Sequence, residues 1–257
     1  MKKGFPRIMF LLPSVIGTLT FFLVPVCYCF IYSFSRTSGR VRYAGAANYV
    51  SLHQSEAFRQ AMGNTYLLML VYIGVLMIFS LTIVYFLDAS VKKLGMMLVF
   101  SLPMLLPPTL IARSIGEFAV SPRMVLLGIF LWKYMGFHVL LLKVMELTMN
   151  PEWEEAAVLE HAGKWQVFTQ VRCPYLWPYM RFLLVFDVIC FFRLFRESYL
   201  LYGKYPPDEV YMISNFFFNN FQNLNYQRLS SAAMTALIPV MIMNGILLKA
   251  GGKHEMV

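Results

Sequence analysis

Long apolar stretches separated by shorter polar segments make up most of the chain. They lie at about 8–34, 66–87, 96–120, 124–145, 179–201 and 230–248. A helix of about 20 residues is enough to cross the roughly 30 Å hydrocarbon core of a bilayer. Backbone polar groups inside a membrane need internal hydrogen bonds, so we expect these stretches to be helical. The pattern predicts an all-α polytopic membrane protein, residues 1–257 forming one domain with six transmembrane helices.

Two of the stretches depart from a plain span. The first follows the basic start MKKGFPR, but it is longer than the apolar part of a signal peptide, about 7–15 residues. We interpret it as an uncleaved span. The third contains prolines that predict a broken helix, namely Pro103, Pro107 and Pro108. The polar segment 35–65 is predicted to hold a short helix at about Ser55–Met62.

A polar segment at 150–178 interrupts the apolar pattern with strong helix signals. Asn150 suits the N-cap and Pro151 the first helical position, with glutamates following where the helix dipole favours negative charge. We predict a helix from Pro151 to about Ala162, with Gly163 as its stop signal.

A second helical segment is predicted to begin at Lys164. It is expected to end near Cys173, because Pro174 and Pro178 interrupt helical hydrogen bonding. Two short helices between membrane spans favour a docking feature. The alternative is an ordinary amphipathic loop at the membrane interface.

Composition supports a membrane protein: 59% of the residues are hydrophobic and 14% are charged. The net charge of +9 indicates contact with the membrane surface rather than with nucleic acid. Six spans put both termini on one side. Basic residues favour the cytoplasm for that side, together with the loop at 150–178; they are Lys2, Lys3, Arg7, Lys92, Lys93, Lys249 and Lys253. The other side still carries Arg36, Arg40, Arg42 and Arg59.

The chain lacks the motifs of an enzyme that hydrolyses ATP. None of its Gly–Lys pairs has the glycine spacing and the following Ser or Thr of a phosphate-binding loop. Its four cysteines and four histidines are scattered, so we predict no metal site and no catalytic residue. Energy for transport must then come from a partner or an ion gradient, unless the chain is a channel. Asp187 is the candidate carboxylate for an ion-coupled carrier.

Charged residues within the fifth apolar stretch are costly and need an explanation. Arg193, Arg196 and Glu197 lie close together, followed by Tyr199. Arg193 and Glu197 are four residues apart and are expected to be able to pair on one helix face. One interpretation is pairing between helices or snorkelling to the outer interface. The other is that these residues line a substrate pathway.

The segment at 150–178 resembles the EAA loop of permease subunits in binding-protein-dependent ABC importers. The matching positions are Glu155, Ala156, Ala157, Ala162, Trp165, Gln166, Phe168, Val171, Pro174 and Pro178. Two positions differ: His161 stands at the family's glycine, with Gly163 two residues later, and Cys173 replaces the usual leucine. Elsewhere, Asn48-Tyr49 and Asn64-Thr65 are similar to positions of maltose-type carbohydrate-uptake permeases.

The resemblance implies a type I ABC importer permease fold, with the EAA loop as a coupling helix that contacts an ATPase. The expected coupling residues are Glu155, Ala156, Ala157, Glu160, His161, Gly163, Val171 and Pro174. The implied partners are a cytoplasmic ABC ATPase dimer carrying ATP and Mg, a second homologous permease, and an extracellular or periplasmic solute-binding protein. The implied location is a bacterial cell membrane and the implied solute a sugar or oligosaccharide. A non-sugar solute is the alternative within the family.

Overall fold

The computed structural model describes residues 11–38, 40–87, 91–114 and 120–249. Four of the basic residues that favour a cytoplasmic side, Lys2, Lys3, Arg7 and Lys253, lie outside the described residues. In the described part, helices predominate, as predicted, and the chain forms two compact units. One unit contains the described residues of Met1–Arg59 and Phe216–Val240, and the other those of Gln60–Asn215 and Met241–Val257.

The first unit begins with helix α1, Leu12–Ser33, which contains a π turn at Leu19–Leu23. An antiparallel hairpin follows, formed by β1 (Ser35–Ser38) and β2 (Arg40–Tyr43), and then helix α2 (Ala47–Gln54). The hairpin was not predicted, because its strands are only four residues each.

Asn48 and Tyr49 fasten the end of α1. The amide of Asn48 donates to the carbonyl oxygens of Ser33 and Ser35 at 2.9 and 2.8 Å. The Tyr49 hydroxyl donates to Ser33 Oγ at 2.7 Å. The last carbonyls of a helix lack partners within it, so this pair of residues stabilises the helix end.

Helix α3, Glu56–Phe86, is longer than predicted. The short helix expected at Ser55–Met62 is part of it, because no proline separates that segment from the apolar run and the helix continues through Gly63. At 1.5 Å per residue, its 31 residues span about 46 Å, more than the hydrocarbon core needs.

The prolines of the third apolar stretch break the helix, as predicted. Helix α4 (Val91–Ser101) leads into a 3₁₀ turn (Leu102–Leu105), and after an extended Leu106 helix α5 runs over Pro108–Ser114. Residues 115–119 of the predicted span lie outside the described residues.

The remaining elements follow in chain order. They are α6 (Pro122–Glu146), α7 (Pro151–Leu159), α8 (Lys164–Val167), a π turn (Phe168–Arg172), α9 (Cys173–Arg193), α10 (Phe195–Tyr202), a 3₁₀ turn (Asp208–Val210), α11 (Ile213–Gln222) and α12 (Tyr226–Lys249). The second unit has an apolar core built from α3, α6, α9 and the π turn before α9. Its buried members include Val84, Leu142, Phe168 and Leu183.

Four helices among the described residues are long and apolar enough to cross a membrane. They are Leu12–Ser33, Glu56–Phe86, Pro122–Glu146 and Tyr226–Leu247. At the predicted third and fifth spans, the structure has helices interrupted by breaks, α4–α5 and α9–α10. The protein is a multi-pass membrane protein; the layout of six spans in one domain stays a prediction.

Candidate functional site

Helix α7 begins as its sequence predicts. The Asn150 side chain accepts a hydrogen bond from the backbone N–H of Glu152 at 3.1 Å, and Pro151 occupies the first helical position. Glu152 and Glu154 lie in the first turn, where the partial positive charge of the helix end favours carboxylates. The start of the helix is therefore fixed by local sequence.

The end of α7 differs from the prediction. The helix ends at Leu159, and His161 has a left-handed backbone with φ of +62°. The N–H of His161 donates to Val158 O at 2.9 Å, and that of Ala162 to Ala157 O at 3.0 Å. This is the hydrogen-bond pattern of a Schellman cap, in which glycine is the usual left-handed residue.

Gly163 is therefore not the stop signal of α7, and that prediction was wrong. Gly163 has φ of −68° and ψ of 158°, an extended conformation that any residue adopts, and it is the N-cap of α8. Its N–H donates to Gln166 Oε1 at 2.8 Å. His161, at the position where the resemblance expects glycine, has the conformation that favours glycine.

The prediction that the second helix ends near Cys173 was also wrong. Helical backbone continues from α8 through the π turn into α9, with Pro174 in the first turn of α9 and Pro178 inside it. The N–H of Cys173 bonds to the carbonyl of Phe168, five residues earlier. This wider turn gives the Pro174 ring room, since a proline ring clashes with the carbonyl four residues earlier in a regular α-helix.

A charge cluster of Lys143, Glu146, Glu154 and Arg172 joins three elements of this site. Arg172 donates from Nε to Glu154 Oε1 at 2.6 Å and from Nη2 to Oε2 at 2.9 Å. Its Nη1 lies 2.7 Å from Glu146 Oε1, and Lys143 Nζ donates to Glu146 Oε2 at 2.6 Å. Two cations and two carboxylates thus connect the last turn of α6, the first turn of α7 and the π turn before α9.

The charge cluster is partly shielded from solvent. Lys143 and Glu146 are buried, while Arg172 and Glu154 are about one quarter exposed, at 25% and 28%. Burial and, secondly, the nearby Glu146 carboxylate raise the pKa of the Cys173 thiol. Attraction between charges strengthens as water is excluded, so these ion pairs hold their elements more firmly than surface pairs do.

Sequence reasoning did not identify this cluster. The sequence did hold one signal for it: Lys143 and Glu146 stand near the end of an apolar span, where ionisable groups need partners. The structure buries both side chains. The identity of the second pair, Glu154 and Arg172, depends on how the chain folds back after residue 150. Sequence spacing does not show that.

Aromatic contacts also hold the segment 150–178 to the rest of the chain. Phe168 is buried, and its ring centroid lies 5.1 Å from that of Tyr85 near the end of α3. Trp153 of α7 packs edge-on against Tyr175 at 5.9 Å, and the Tyr175 hydroxyl lies 2.8 Å from Thr148 Oγ1. Helix α7 is therefore held to its own chain by aromatic contacts as well as by charge.

The predicted coupling residues lie together on this segment, most of them exposed. Ala157 and Val171 are half-buried; the exposed ones are Glu155, Ala156, Glu160, His161, Gly163 and Pro174. Large apolar side chains beside them are also exposed: Leu159 at 81%, Trp165 at 62% and Val158 at 61%. Clustered exposed apolar groups are typical of a protein contact surface. We call this set of exposed residues the α7 surface.

The predicted pathway residues are not brought together as expected. Helix α9 ends at Arg193, and α10 begins at Phe195, so a break at Leu194 separates Arg193 from Glu197. Glu197 is buried and accepts from Lys133 Nζ on α6 at 2.6 Å. Glu197 therefore pairs between helices, as the first of the two interpretations has it, and not with Arg193, its possible partner four residues earlier. Arg193, Arg196 and Tyr199 are exposed, and a role in a pathway stays a prediction.

A second buried polar pair connects α6 to α9. The Nε2 atom of His138 lies 2.9 Å from Asp187 Oδ1, within hydrogen-bonding distance, and both side chains are fully buried. Elsewhere, among the residues that the structure describes, no group of three or more His, Cys, Asp or Glu side chains is arranged to hold a metal ion.

Curated proteins similar to this chain include several permeases, although no protein-family model matches it. The Arabinooligosaccharides transport system permease protein AraP of Bacillus subtilis is 27% identical over 99% of this chain and 90% of its own length. The Probable ABC transporter permease protein YurN of the same organism is 24% identical, with 90% of each chain covered. The Osmoprotective compounds uptake permease protein GgtC of Synechocystis sp. is 28% identical over 52% of this chain and 47% of its own.

Two solved structures share the fold. A chain in the crystal structure of a bacterial alginate ABC transporter, in complex with alginate pentasaccharide-bound periplasmic protein, has a TM-score of 0.77. Its identity is 20% over 97% of this chain and 95% of that chain. A chain in a structure of a bacterial ABC transporter involved in alginate import has a TM-score of 0.75, with 21% identity and 95% of each chain covered. The resemblance to carbohydrate-uptake ABC permeases is therefore confirmed, and the chain has the fold of an ABC importer permease.

Proposed function

We propose that this chain is a permease subunit of an ABC importer for a sugar or oligosaccharide, and that the α7 surface receives the movement of a separate ATPase. The similarity to AraP along nearly the whole chain supports the transporter class. The name of AraP, which mentions arabinooligosaccharides, supports a sugar or oligosaccharide solute, while that of GgtC, which mentions osmoprotective compounds, leaves a non-sugar solute as the alternative.

The observation that carries this proposal is the two-sided character of α7. One side of the helix, at Glu154 and Ala157, lies against its own chain, and Glu154 is bonded there to Arg172. The other side exposes Glu155, Ala156 and Leu159. A helix that is fixed to its own protein on one side and exposes apolar groups on the other suits a partner that pushes or pulls it.

The partners in the proposal follow the resemblance. A cytoplasmic ATPase dimer binds ATP and Mg, and its ATP-driven closure moves α7, while this chain and a second, homologous permease form the membrane pathway. A solute-binding protein delivers the solute from outside, as in the alginate transporter bound to a pentasaccharide-loaded periplasmic protein. In this arrangement the termini and α7 lie in the cytoplasm of a bacterial cell. Arg193, Arg196 and Tyr199 are candidates for the pathway.

The test is purification of the tagged chain from its host membranes, followed by identification of the proteins that accompany it. We expect an ABC ATPase in the complex, and we expect Glu155→Lys to reduce its recovery because the exposed carboxylate meets a basic partner residue. Glu56→Lys is the matched control, since it makes the same charge change at an exposed site at the start of α3. Full recovery with Glu155→Lys, or solute uptake without ATP, would contradict the proposal.

A further inference from the structure

We propose that the charge cluster of Lys143, Glu146, Glu154 and Arg172 is the joint that transmits movement of α7 to the membrane helices α6 and α9. This inference rests on the proposed function, because it assumes that a partner moves α7. It assigns the transmission to named groups inside this chain, on the side of α7 that carries Glu154 and Ala157.

The backbone connections before and after α7 are too flexible to pass its movement to the neighbouring helices. On one side, Leu147, Thr148 and Met149 separate α6 from α7 in a turn. On the other, α7 ends in the left-handed turn at His161, and α8 begins only at Lys164. Rotation about backbone dihedrals in such connections absorbs displacement. A stiff connection between α7 and the membrane helices therefore needs contacts between side chains.

Arg172 provides that connection. Its planar guanidinium binds Glu154 with two parallel hydrogen bonds, which fix orientation as well as distance. The third nitrogen lies 2.7 Å from Glu146, so one rigid group connects α7 to both α6 and the π turn before α9. A displacement of Glu154 without a matching displacement of Arg172 would break two charged hydrogen bonds.

Lys143 and Glu146 extend the connection into α6. Lys143 is 1% exposed and Glu146 3%, so Glu146 has little access to water and is held by Lys143 and Arg172. Breaking one partner of a buried charged pair leaves the other uncompensated, which makes separation costly. The cluster therefore favours common movement of α7 with the end of α6.

The π turn gives the cluster a direct path into α9. Arg172 is the last residue of this turn, and helical backbone continues from it into Cys173 and Pro174 without interruption. Phe168, at the start of the turn, is buried in the core that contains Leu142 of α6 and Leu183 of α9. Movement of Arg172 is thus passed to a helix rather than to a loop.

The test uses the intact transporter, purified through a tag on this chain and reconstituted in lipid vesicles. Hydrogen exchange is measured by mass spectrometry without nucleotide and after trapping with ATP and vanadate, so no transported solute is needed. For the wild type we expect trapping to change exchange in α7 and also in α6 and α9. For Arg172→Met we expect ATPase binding and the change in α7 to persist. The change in α6 and α9 should be lost, because the side-chain connection to α7 is gone.

Arg172→Lys is the graded variant and Arg123→Met the matched control. Lysine keeps the charge but cannot make the parallel pair of bonds, so its response should lie between those of wild type and Arg172→Met. Arg123, at the other end of α6, has its Nε 3.6 Å from Glu209 Oε2, and its replacement should leave the response unchanged.

Three results would overturn the inference. An unchanged response of α6 and α9 in Arg172→Met would show that the joint lies elsewhere. Loss of the assembled transporter in both Arg172 variants would show that the cluster serves folding instead. A wild-type chain that brings down no ATPase would overturn the proposed function itself, and is recognised before any variant is compared.

Discussion

Gly136 of α6 lies so close to Phe100 of α4 that a Cβ atom at position 136 would overlap the Phe100 carbonyl oxygen. The other atoms nearest to such a Cβ also belong to the backbone: the Phe100 carbonyl carbon and, at 2.9 Å, the Ser101 nitrogen. Backbone cannot turn aside as a flexible side chain does. Helix α4, just before its break at the prolines, therefore packs on α6 at a distance that only glycine permits.

Gly136→Ala is expected to displace α4 and destabilise the protein by about 1–3 kcal/mol or more, as overpacking does. The measurement is the thermal unfolding temperature of the purified chain in detergent. Gly128→Ala is the control, because the same helix has no atom within 4 Å of a Cβ at that position. Equal unfolding temperatures for the two variants would show that α4 and α6 do not pack this closely.

Replacing His161 by glycine is expected to stabilise the end of α7. A left-handed residue with a Cβ costs roughly 1–2 kcal/mol, and the greater freedom of glycine in the unfolded chain offsets part of that gain. The net effect should be a small increase in the unfolding temperature with transport retained. Gly163→Ala should have little effect, since position 163 is extended and its Cβ would lie 3.7 Å from Gln166 Oε1. A loss of stability in His161→Gly would contradict the Schellman geometry at His161.

Ala156 and Ala157 are expected to respond differently to aspartate. Ala157 is half-buried against its own chain and lies three residues after Glu154, so Ala157→Asp places like charges on one face of the helix. It should destabilise the chain by about 1–3 kcal/mol, seen as a lower unfolding temperature.

Ala156 is exposed, and Ala156→Asp should leave the unfolding temperature nearly unchanged while reducing recovery of the ATPase. Ala156→Ser is the control for the size of the side chain. Identical behaviour of the two aspartate variants would mean that α7 is not two-sided. Both variants should lower the amount of solute transported for each ATP hydrolysed. Ala157→Asp should do so by destabilising the chain, and Ala156→Asp by weakening its contact with the ATPase.

Local sequence signals predicted the parts of this structure that depend on neighbours in the chain. Asn150 and Pro151 placed the start of α7, and the prolines after Ser101 placed the break in the third apolar stretch. The same local rules failed where the conformation costs energy locally and is supported by the rest of the fold. His161 occupies a position that favours glycine, and the π turn before Pro174 lets a helix continue that proline would otherwise end.

Contacts between residues distant in the chain could not be predicted from the sequence pattern. Arg193 and Glu197 have the spacing of a helical ion pair, but in the structure Glu197 binds Lys133 of α6 instead. Arg172 is one of several polar residues on a short helical segment. Only the folded arrangement places it between Glu146 and Glu154.

The fully buried His138–Asp187 pair separates the importer interpretation from an ion-coupled carrier. Asp187 was the candidate coupling carboxylate, and in the structure it pairs with His138 on α6 with no exposure of either side chain. A structural pair of this kind predicts a specific pattern of stability. His138→Leu should destabilise the protein by about 3–5 kcal/mol, because it leaves a buried carboxylate without its partner.

The double variant His138→Leu/Asp187→Leu should recover much of that loss, since replacing both partners by apolar groups of similar size is often nearly neutral. Thermal unfolding of the three proteins gives the coupling energy between the two positions. Uptake by the reconstituted transporter then decides the role of Asp187. An importer driven by a separate ATPase should keep ATP-dependent uptake in the double variant, whereas a carrier that binds its ion at Asp187 would lose uptake while remaining folded.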